Sequence, residues 1–365
     1  MSIIKKGLTP FFYIDINKIK ENYTELLDSI ERTTQKAIIA YSIKANYHPD
    51  IIQLLYSLNS YFEVCSKYEY SFLISQGVEP QRIIVNACSA TNDVFTWGDK
   101  SLIIIDDLQQ LKYWVESHNQ CEIGIRVNLD HCTTDERFRN KSSRFGINIK
   151  EPVFIDLLKK ADTSKIVCLH CHLSGNNRSP SIYTDVLVEL IRIADKLSLT
   201  KIKYIDLGGG FRIDSQYYSY NDYVNAIGQV YESFGINFRI IYELGNALVR
   251  NSTEYYTKII SYKNIERKKI MIADGTSLQL PRANFVKTGY HFIHDNSLKE
   301  SFFIRQIFEN TCKESDMIIE LEKDEQISIG DILVIENVGA YSINEINTLI
   351  LGMPNIFTSD EHHFE

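Results

Sequence analysis

Ile166-Val167-Cys168-Leu169-His170-Cys171-His172-Leu173 (IVCLHCHL) admits two opposed readings. Its CLHCH core satisfies the C-x-x-C-H spacing of covalent haem attachment. By side-chain period it is an apolar strand, with Cys168, His170 and His172 on one face and Cys171 on the other. Two cysteines on opposite faces cannot both bond one haem edge, so the strand reading prevails and the haem match is accidental. A helix-length amphipathic run, SIYTDVLVELIRIADKL at 181–197, follows, and then a second strand, YIDLGGG at 204–210. Together they make one βαβ unit.

The alternation continues in both directions. Further strand candidates are AIIAYSIKAN (37–46), YFEVCS (61–66), RIIVNA (82–87), SLIIIDD (101–107), EIGIRVN (122–128) and RIIYELG (239–245). Helical patterns such as DIIQLLYSL (50–58) and YNDYVNAIGQVYESF (220–234) lie between them. Eight βα units in series predict an α/β domain, a parallel (β/α)8 TIM-type barrel, with an open doubly wound sheet as the alternative. After about residue 246 the helical period fades into TEYYTKIISYK, KKIMIADG, SFFIRQIF, DMIIEL and DILVIEN. These runs predict a second, all-β domain of β-sandwich or β-barrel type, which the leading strand PFFYID (10–15) joins. The expected division is 16–245 for the barrel, and 1–15 with 246–365 for the β-domain.

The chain has 365 residues, 44% of them hydrophobic and 24% charged, as a soluble globular protein requires. Its 39 basic residues stand against 47 acidic ones, a formal net charge of -8 that disfavours nucleic acid or an anionic membrane as partner. The densest basic cluster, ERKK at 266–269, reads as a solvated turn. MSIIKKGLTPFFYID lacks the apolar core of a signal peptide, and no later run approaches the roughly 18 apolar residues of a membrane span. Seven widely spaced cysteines form no disulfide framework, so a cytoplasmic, reducing location is expected.

Active sites of such barrels lie at the C-terminal ends of the strands, so polar residues closing apolar strands are candidates by position. Seven of the eight runs supply them: Lys44 and Asn46, Glu63 and Ser66, Asn86, Asn128, His172, Gly208 to Gly210, and Glu243 with Gly245. Lys44 is either a snorkelling surface lysine or, desolvated, an amine able to form an imine with an aldehyde cofactor. Gly208, Gly209 and Gly210 form either a tight turn or an anion nest of converging N–H groups. Glu243 is either a helix cap or salt-bridge partner, or a carboxylate that keeps a pyridine nitrogen protonated. Lysine, histidine, glycine nest and glutamate together are what pyridoxal 5′-phosphate needs, and no metal site is expected.

Here the chain resembles the alanine-racemase-fold (fold type III) pyridoxal phosphate decarboxylases, the group containing diaminopimelate and ornithine decarboxylases. The resemblance runs from about Thr9 to Leu351. Ser42 to Asn46 resembles the V-K-A-N segment whose lysine carries the cofactor, and Phe62 to Ser66 with Glu69 is similar to F-D-V-A-S-x-x-E. Ser143-Arg144-Phe145-Gly146 is similar to S-[KR]-F-G, and His170-Cys171-His172 to H-x-H, whose second histidine stacks on the cofactor ring. Asp206 to Phe211 matches the phosphate loop D-[IL]-G-G-G-F, and Glu336 to Tyr341 matches E-N-x-G-A-Y, whose tyrosine reaches the phosphate. Thr311 to Asp316 resembles C-[DE]-x-x-D, with Cys312 protonating the α-carbon. The resemblance thus implies an amino-acid decarboxylase acting as a homodimer with shared sites. Its catalytic set would be Lys44, His172, Glu243 and Cys312, and Gly245, Asn246 and Tyr341 would join the cofactor contacts. Substrate contacts would come from Lys313, Asp316 and Arg282, the last resembling the arginine of I-R-P-A-L. For Cys312 and Arg282 the competing readings are a buried inert thiol and surface display.

Three departures bear on chemistry. Glu243-Leu244-Gly245-Asn246 replaces E-P-G-R, so an arginine on the phosphate is missing, and His172-Leu173-Ser174-Gly175 shifts the phosphate hydroxyl of H-V-G-S by one residue. Lys313 stands where the family has an acidic residue that contacts a cationic substrate end. A substrate with a neutral or anionic far end, free or tethered to a carrier or nucleotide, is therefore expected. The alternatives are a racemase on the same fold and a non-catalytic cofactor-binding homologue.

Overall fold

After the leading strand β1 (Phe11–Ile14), eight parallel strands close into a barrel in sequence order: β2 (Ala37–Ser42), β3 (Tyr61–Val64), β4 (Ile83–Val85), β5 (Leu102–Ile105), β6 (Ile123–Arg126), β7 (Ile166–His170), β8 (Tyr204–Asp206) and β9 (Arg239–Leu244). The computed structural model describes residues 8–88, 91–118, 120–129, 143–173, 178–213, 216–235, 237–266, 268–281, 289–295 and 300–359. Among these no helix is long and apolar enough to cross a membrane.

Period-two alternation fills the barrel. Ile38, Ala40, Ile84, Ile104, Cys168 and Ile241 form an apolar interior cluster, with Tyr61 and Tyr204 packed against it. Gly124 admits this layer, since a Cβ there would lie 2.4 Å from Ile104 Cδ1. One pleat nearer the strand ends, each of the eight strands turns a polar residue inward or carries one just past its end. These are Ser42, Glu63, Asn86, Asp106, Arg126, His170, Asp206 and Glu243, all buried. Apolar strands thus deliver a ring of eight polar side chains directly above an apolar plug.

The second unit is mostly β. Its sheet runs β12 (Tyr290–Ile293), β15 (Ile332–Ile335), β10 (Thr253–Ile265), β11 (Lys268–Ala273), β13 (Phe302–Phe308), β14 (Met317–Ile327). Strand β1 pairs antiparallel with β10, Phe11 opposite Tyr256, and parallel with β16 (Asn355–Thr358). Phe12, Tyr255, Met271, Ile307, Leu321 and Leu333 belong to its core. Strands β12 and β16 were not expected from sequence, because they are mostly half-exposed and show no run of buried apolar side chains.

By compactness the chain divides into Met1–Glu21, Ala45–Ile51 and Leu248–Glu365 on one side, and Asn22–Lys44 with Ile52–Ala247 on the other. Ala45–Ile51 joins the β unit through hydrogen bonds that no sequence pattern announces. The Tyr341 N–H donates to the Ala45 carbonyl (2.8 Å), Asn46 Nδ2 to the Gly339 carbonyl (3.0 Å) and Thr358 Oγ1 to Asp50 Oδ2 (2.8 Å). Asn46 therefore does not serve as a strand-closing residue of the barrel mouth.

Candidate active site

Lys44 leaves β2 on a short 3-10 turn (Ile43–Ala45), which turns its amine over the polar ring. There Nζ forms an ion pair with Glu63 and lies 3.4 Å from Cys65 Sγ. Burial alone would lower the ammonium's pKa, but Glu63, Cys65 and Glu243 outweigh it and hold it well above its ordinary value. The Lys44 side chain as a whole is 41% exposed. Ser66 and Glu69 fix this corner as a helix start: Ser66 Oγ accepts from the Glu69 N–H (3.2 Å), and Glu69 Oε2 accepts from the Cys65 N–H (2.6 Å).

Across the ring, Glu243 is 4% exposed, with His170 Nε2 at 3.3 Å and Asn86 Nδ2 at 3.4 Å. Burial would raise its pKa, yet His170 and Lys44 favour the ionised form and hold it well below the usual carboxylate range. Its neighbour Asp206 goes the other way: burial and the Glu243 charge push it well above the ordinary value. Asp206 Oδ2 finds no donor. The two buried carboxyls oppose one another's charge, so ionisation of Asp206 is disfavoured beside the charged Glu243. Donor atoms of His170, Asp206 and Glu243 lie within 4.8 Å of one another, a set that could ligate a metal ion. A cation there would, however, compete with Lys44 for the Glu243 carboxylate.

The glycine loop departs from the expected nest. The Gly208 N–H donates to Asp206 Oδ1 (2.8 Å) and the Gly209 N–H to His172 Nδ1 (3.1 Å), so two of the three N–H groups are spent inside the protein. Their glycines serve close approach instead. A Cβ on Gly208 would sit 2.5 Å from His172 Nδ1, and one on Gly209 would sit 2.0 Å from the Glu243 carbonyl oxygen. That carbonyl also accepts from Ser42 Oγ (3.0 Å), so it cannot give way freely. Gly209→Ala is expected to cost about 1–3 kcal/mol, read as a lower thermal unfolding midpoint. An unchanged midpoint would mean the loop is looser than this contact implies. His172, just beyond β7, is held by the same loop, and burial pushes its pKa down to about 3, leaving a flat neutral ring.

Gly245 is buried after β9, and Asn246 opens the four-residue helix Asn246–Val249. The remaining candidates belong to the β unit. Tyr341 has φ of 58° and is tied by its N–H to Ala45. Cys312 is exposed, so the buried inert thiol reading is set aside. Lys313 is exposed too, and Asp316 is bound locally, accepting from Thr311 Oγ1 (2.7 Å). Arg282 lies outside the described residues.

Sequence reasoning overlooked several members of the ring as site residues. Arg126 pairs with Asp106 (3.3 Å), which also accepts the Gly146 N–H (3.1 Å). Its guanidinium lies 4.6 Å from the Phe145 ring centre. Ser143-Arg144-Phe145-Gly146 therefore acts as the seat of Arg126. An arginine inside the apolar run EIGIRVN was the available signal, since a buried charge requires a partner.

A family model described as "Pyridoxal-dependent decarboxylase, pyridoxal binding domain" matches residues 16–250. Diaminopimelate decarboxylase of Aquifex aeolicus is 23% identical over 350 residues, covering 91% of this chain and 82% of that protein. Ornithine decarboxylase of Schizosaccharomyces pombe is 24% identical over 352 residues, covering 91% and 79%. The crystal structure of diaminopimelate decarboxylase from M. jannaschii superposes with a TM-score of 0.82 at 21% identity, covering 99% of this chain and 89% of that one. Lysine decarboxylase from Selenomonas ruminantium gives 0.81 at 18% identity, covering 99% and 95%. These structural likenesses establish the fold.

Proposed function

Since the chain belongs to the pyridoxal-dependent decarboxylases, whose pyridoxal-binding domain spans residues 16–250, we propose that it removes the α-carboxylate of an amino acid with a neutral or anionic far end. The cofactor is pyridoxal 5′-phosphate, and the barrel mouth suits it. Lys44 offers an amine on a part-exposed side chain, Glu243 a buried ionised carboxylate, His172 a neutral ring and Gly210 a left-handed loop residue at φ 97°. The observation that carries the reading is the placement of that amine and that carboxylate over one polar ring.

When bound, the cofactor supplies a protonated ring that accepts the electron pair left at the α-carbon as carbon dioxide departs. Lys44 would hold the cofactor aldehyde and, once displaced by the substrate amine, keep a proton close by. Glu243 would hold the proton on the ring nitrogen, and Asp206 steadies Glu243 through their shared hydrogen bond. Cys312, with its exposed thiol, would return a proton to the α-carbon and release the amine. In the same reading two copies pair, each lending Cys312 to the other's site.

The finer assignment rests on Lys313. Ornithine, lysine and diaminopimelate, the compounds named for the relatives, each carry a distal ammonium that an exposed lysine would repel. Lys313→Glu should lower kcat/KM for the native, anionic-ended substrate by about tenfold and raise it for diamino acids. The check is carbon dioxide release and amine formation across α-amino acids of varied distal charge. Wild-type preference for a diamino acid, or a Lys313→Glu variant with unchanged ranking, would defeat the assignment. Inversion of the α-carbon without carbon dioxide would favour a racemase.

A further inference from the structure

A cofactor phosphate brings close to two negative charges at neutral pH and needs N–H donors and a cation to hold it. In this chain the glycine loop spends the Gly208 and Gly209 N–H groups on Asp206 and His172. After β9, at the position where the resemblance leads one to expect arginine, the chain carries the uncharged Asn246. Beside the loop, however, stands a guanidinium that neither the family pattern nor the mechanism uses. A Cβ built on Gly210 would lie 3.6 Å from both Cζ and Nη1 of Arg178 and 3.3 Å from Tyr183 Oη.

The Arg178 backbone is anchored. Its carbonyl accepts a hydrogen bond from Tyr223 Oη. Tyr223 stacks on Phe211 with centroids 4.1 Å apart, and Tyr183 meets Phe211 edge-on at 5.0 Å. Tyr183 Oη donates to the Gly209 carbonyl (3.0 Å), and Tyr223 Oη accepts from the Arg212 N–H (3.0 Å). One aromatic cluster thus clamps both the loop and the backbone of the arginine next to it. Phe211 follows the glycines and Tyr183 and Tyr223 come from the two flanking helices, so this arrangement is built into the fold.

We infer that Arg178 is the cation that binds the cofactor phosphate in this chain, replacing from the β7 loop the charge that Asn246 does not supply from the β9 loop. The inference rests on the pyridoxal phosphate assignment above. Arg178 is a positioning residue in this role: it fixes one end of the cofactor and leaves the reacting atoms to Lys44 and Glu243. Its planar fork suits two phosphate oxygens at once, which a lysine cannot match.

The test uses the full chain freed of cofactor and titrated with pyridoxal 5′-phosphate and, separately, with pyridoxal, which has no phosphate. The visible absorbance of the lysine-bound cofactor is the readout, and thermal unfolding of each variant checks the fold. Arg178→Gln should weaken the phosphorylated cofactor by about 10- to 100-fold and leave pyridoxal unaffected, with Arg178→Lys between. Adding Asn246→Arg to Arg178→Gln should restore affinity for the phosphorylated form alone. Equal loss for both compounds, or no loss for either, overturns the role of Arg178 while the cofactor assignment stands. Wild-type chain that captures neither compound overturns the cofactor assignment and this inference with it.

Discussion

Lys44→Ala is expected to lower decarboxylation by about 10³-fold or more, because in the proposed mechanism it would remove both the amine holding the cofactor aldehyde and the proton carrier beside the α-carbon. Borohydride treatment of cofactor-loaded protein should label the wild-type peptide that contains Lys44 and leave the variant unlabelled. The pH behaviour follows from the ion pair with Glu63. The folded-state pKa of Lys44 is raised above its unfolded value, so the stability it contributes is fully present at neutral pH and is lost only as pH rises through that raised value. For cofactor capture the consequence is inverse: only the free amine reacts, so capture by the cofactor-free chain should speed up by about tenfold per pH unit across the neutral range. Glu63→Gln removes the strongest charge holding that proton and should accelerate capture at fixed pH. A flat profile, or a Lys44→Ala chain with wild-type turnover, would remove Lys44 from the chemistry. Mixing inactive Lys44→Ala and Cys312→Ala chains should restore part of the activity if each site borrows the thiol of its neighbour.

Glu243→Gln is expected to lower turnover by about 10²- to 10³-fold, the scale of losing one preorganised charge in a water-poor site. The amide preserves shape but cannot hold a proton on a ring nitrogen. Asp206→Asn supplies the contrast. Ionisation of Asp206 is disfavoured beside Glu243, and an amide there can still accept from the Gly208 N–H. Most of the activity should therefore survive. Measured side by side, a large loss at Glu243 with little at Asp206 supports the assignment, and equal losses would mean that the two share the charge.

Apolar periodicity located every barrel strand, even the three-residue β4, because period two survives in short runs. It carried most of them too far, however. The run read as 37–46 ends at Ser42, the run 166–173 at His170 and the run 204–210 at Asp206. Lys44, Asn128, His172 and Gly208, named as closing residues, each lie two positions beyond the polar ring member on the same strand. The run SLIIIDD supplied no candidate. Asp107 does cap the helix Leu108–Glu116, accepting from the Gln109 and Gln110 N–H groups, while Asp106 takes its place in the ring. Lys44 with Glu63, and Arg178 with Gly210, are meetings of residues distant in the chain, which local pattern cannot reveal. Motif resemblance supplied the glycine loop but not the fate of its N–H groups, since those depend on where His172 and Asp206 come to rest.

The ring of eight polar residues has one further consequence. Each member is two residues past an inward apolar side chain, or past the inward Gly124, so a strand between the two layers has no spare length. A single-residue insertion or deletion there would turn the polar side chain outward and bring its neighbour in. The barrel wall would then still be apolar and pleated, but its chemistry would be erased on that strand. Only farther out, in loops past Lys44, His172 and the glycine loop, do length changes carry no such penalty. The polar layer is thus held to a reading frame of two residues and persists only where strand lengths stay in phase.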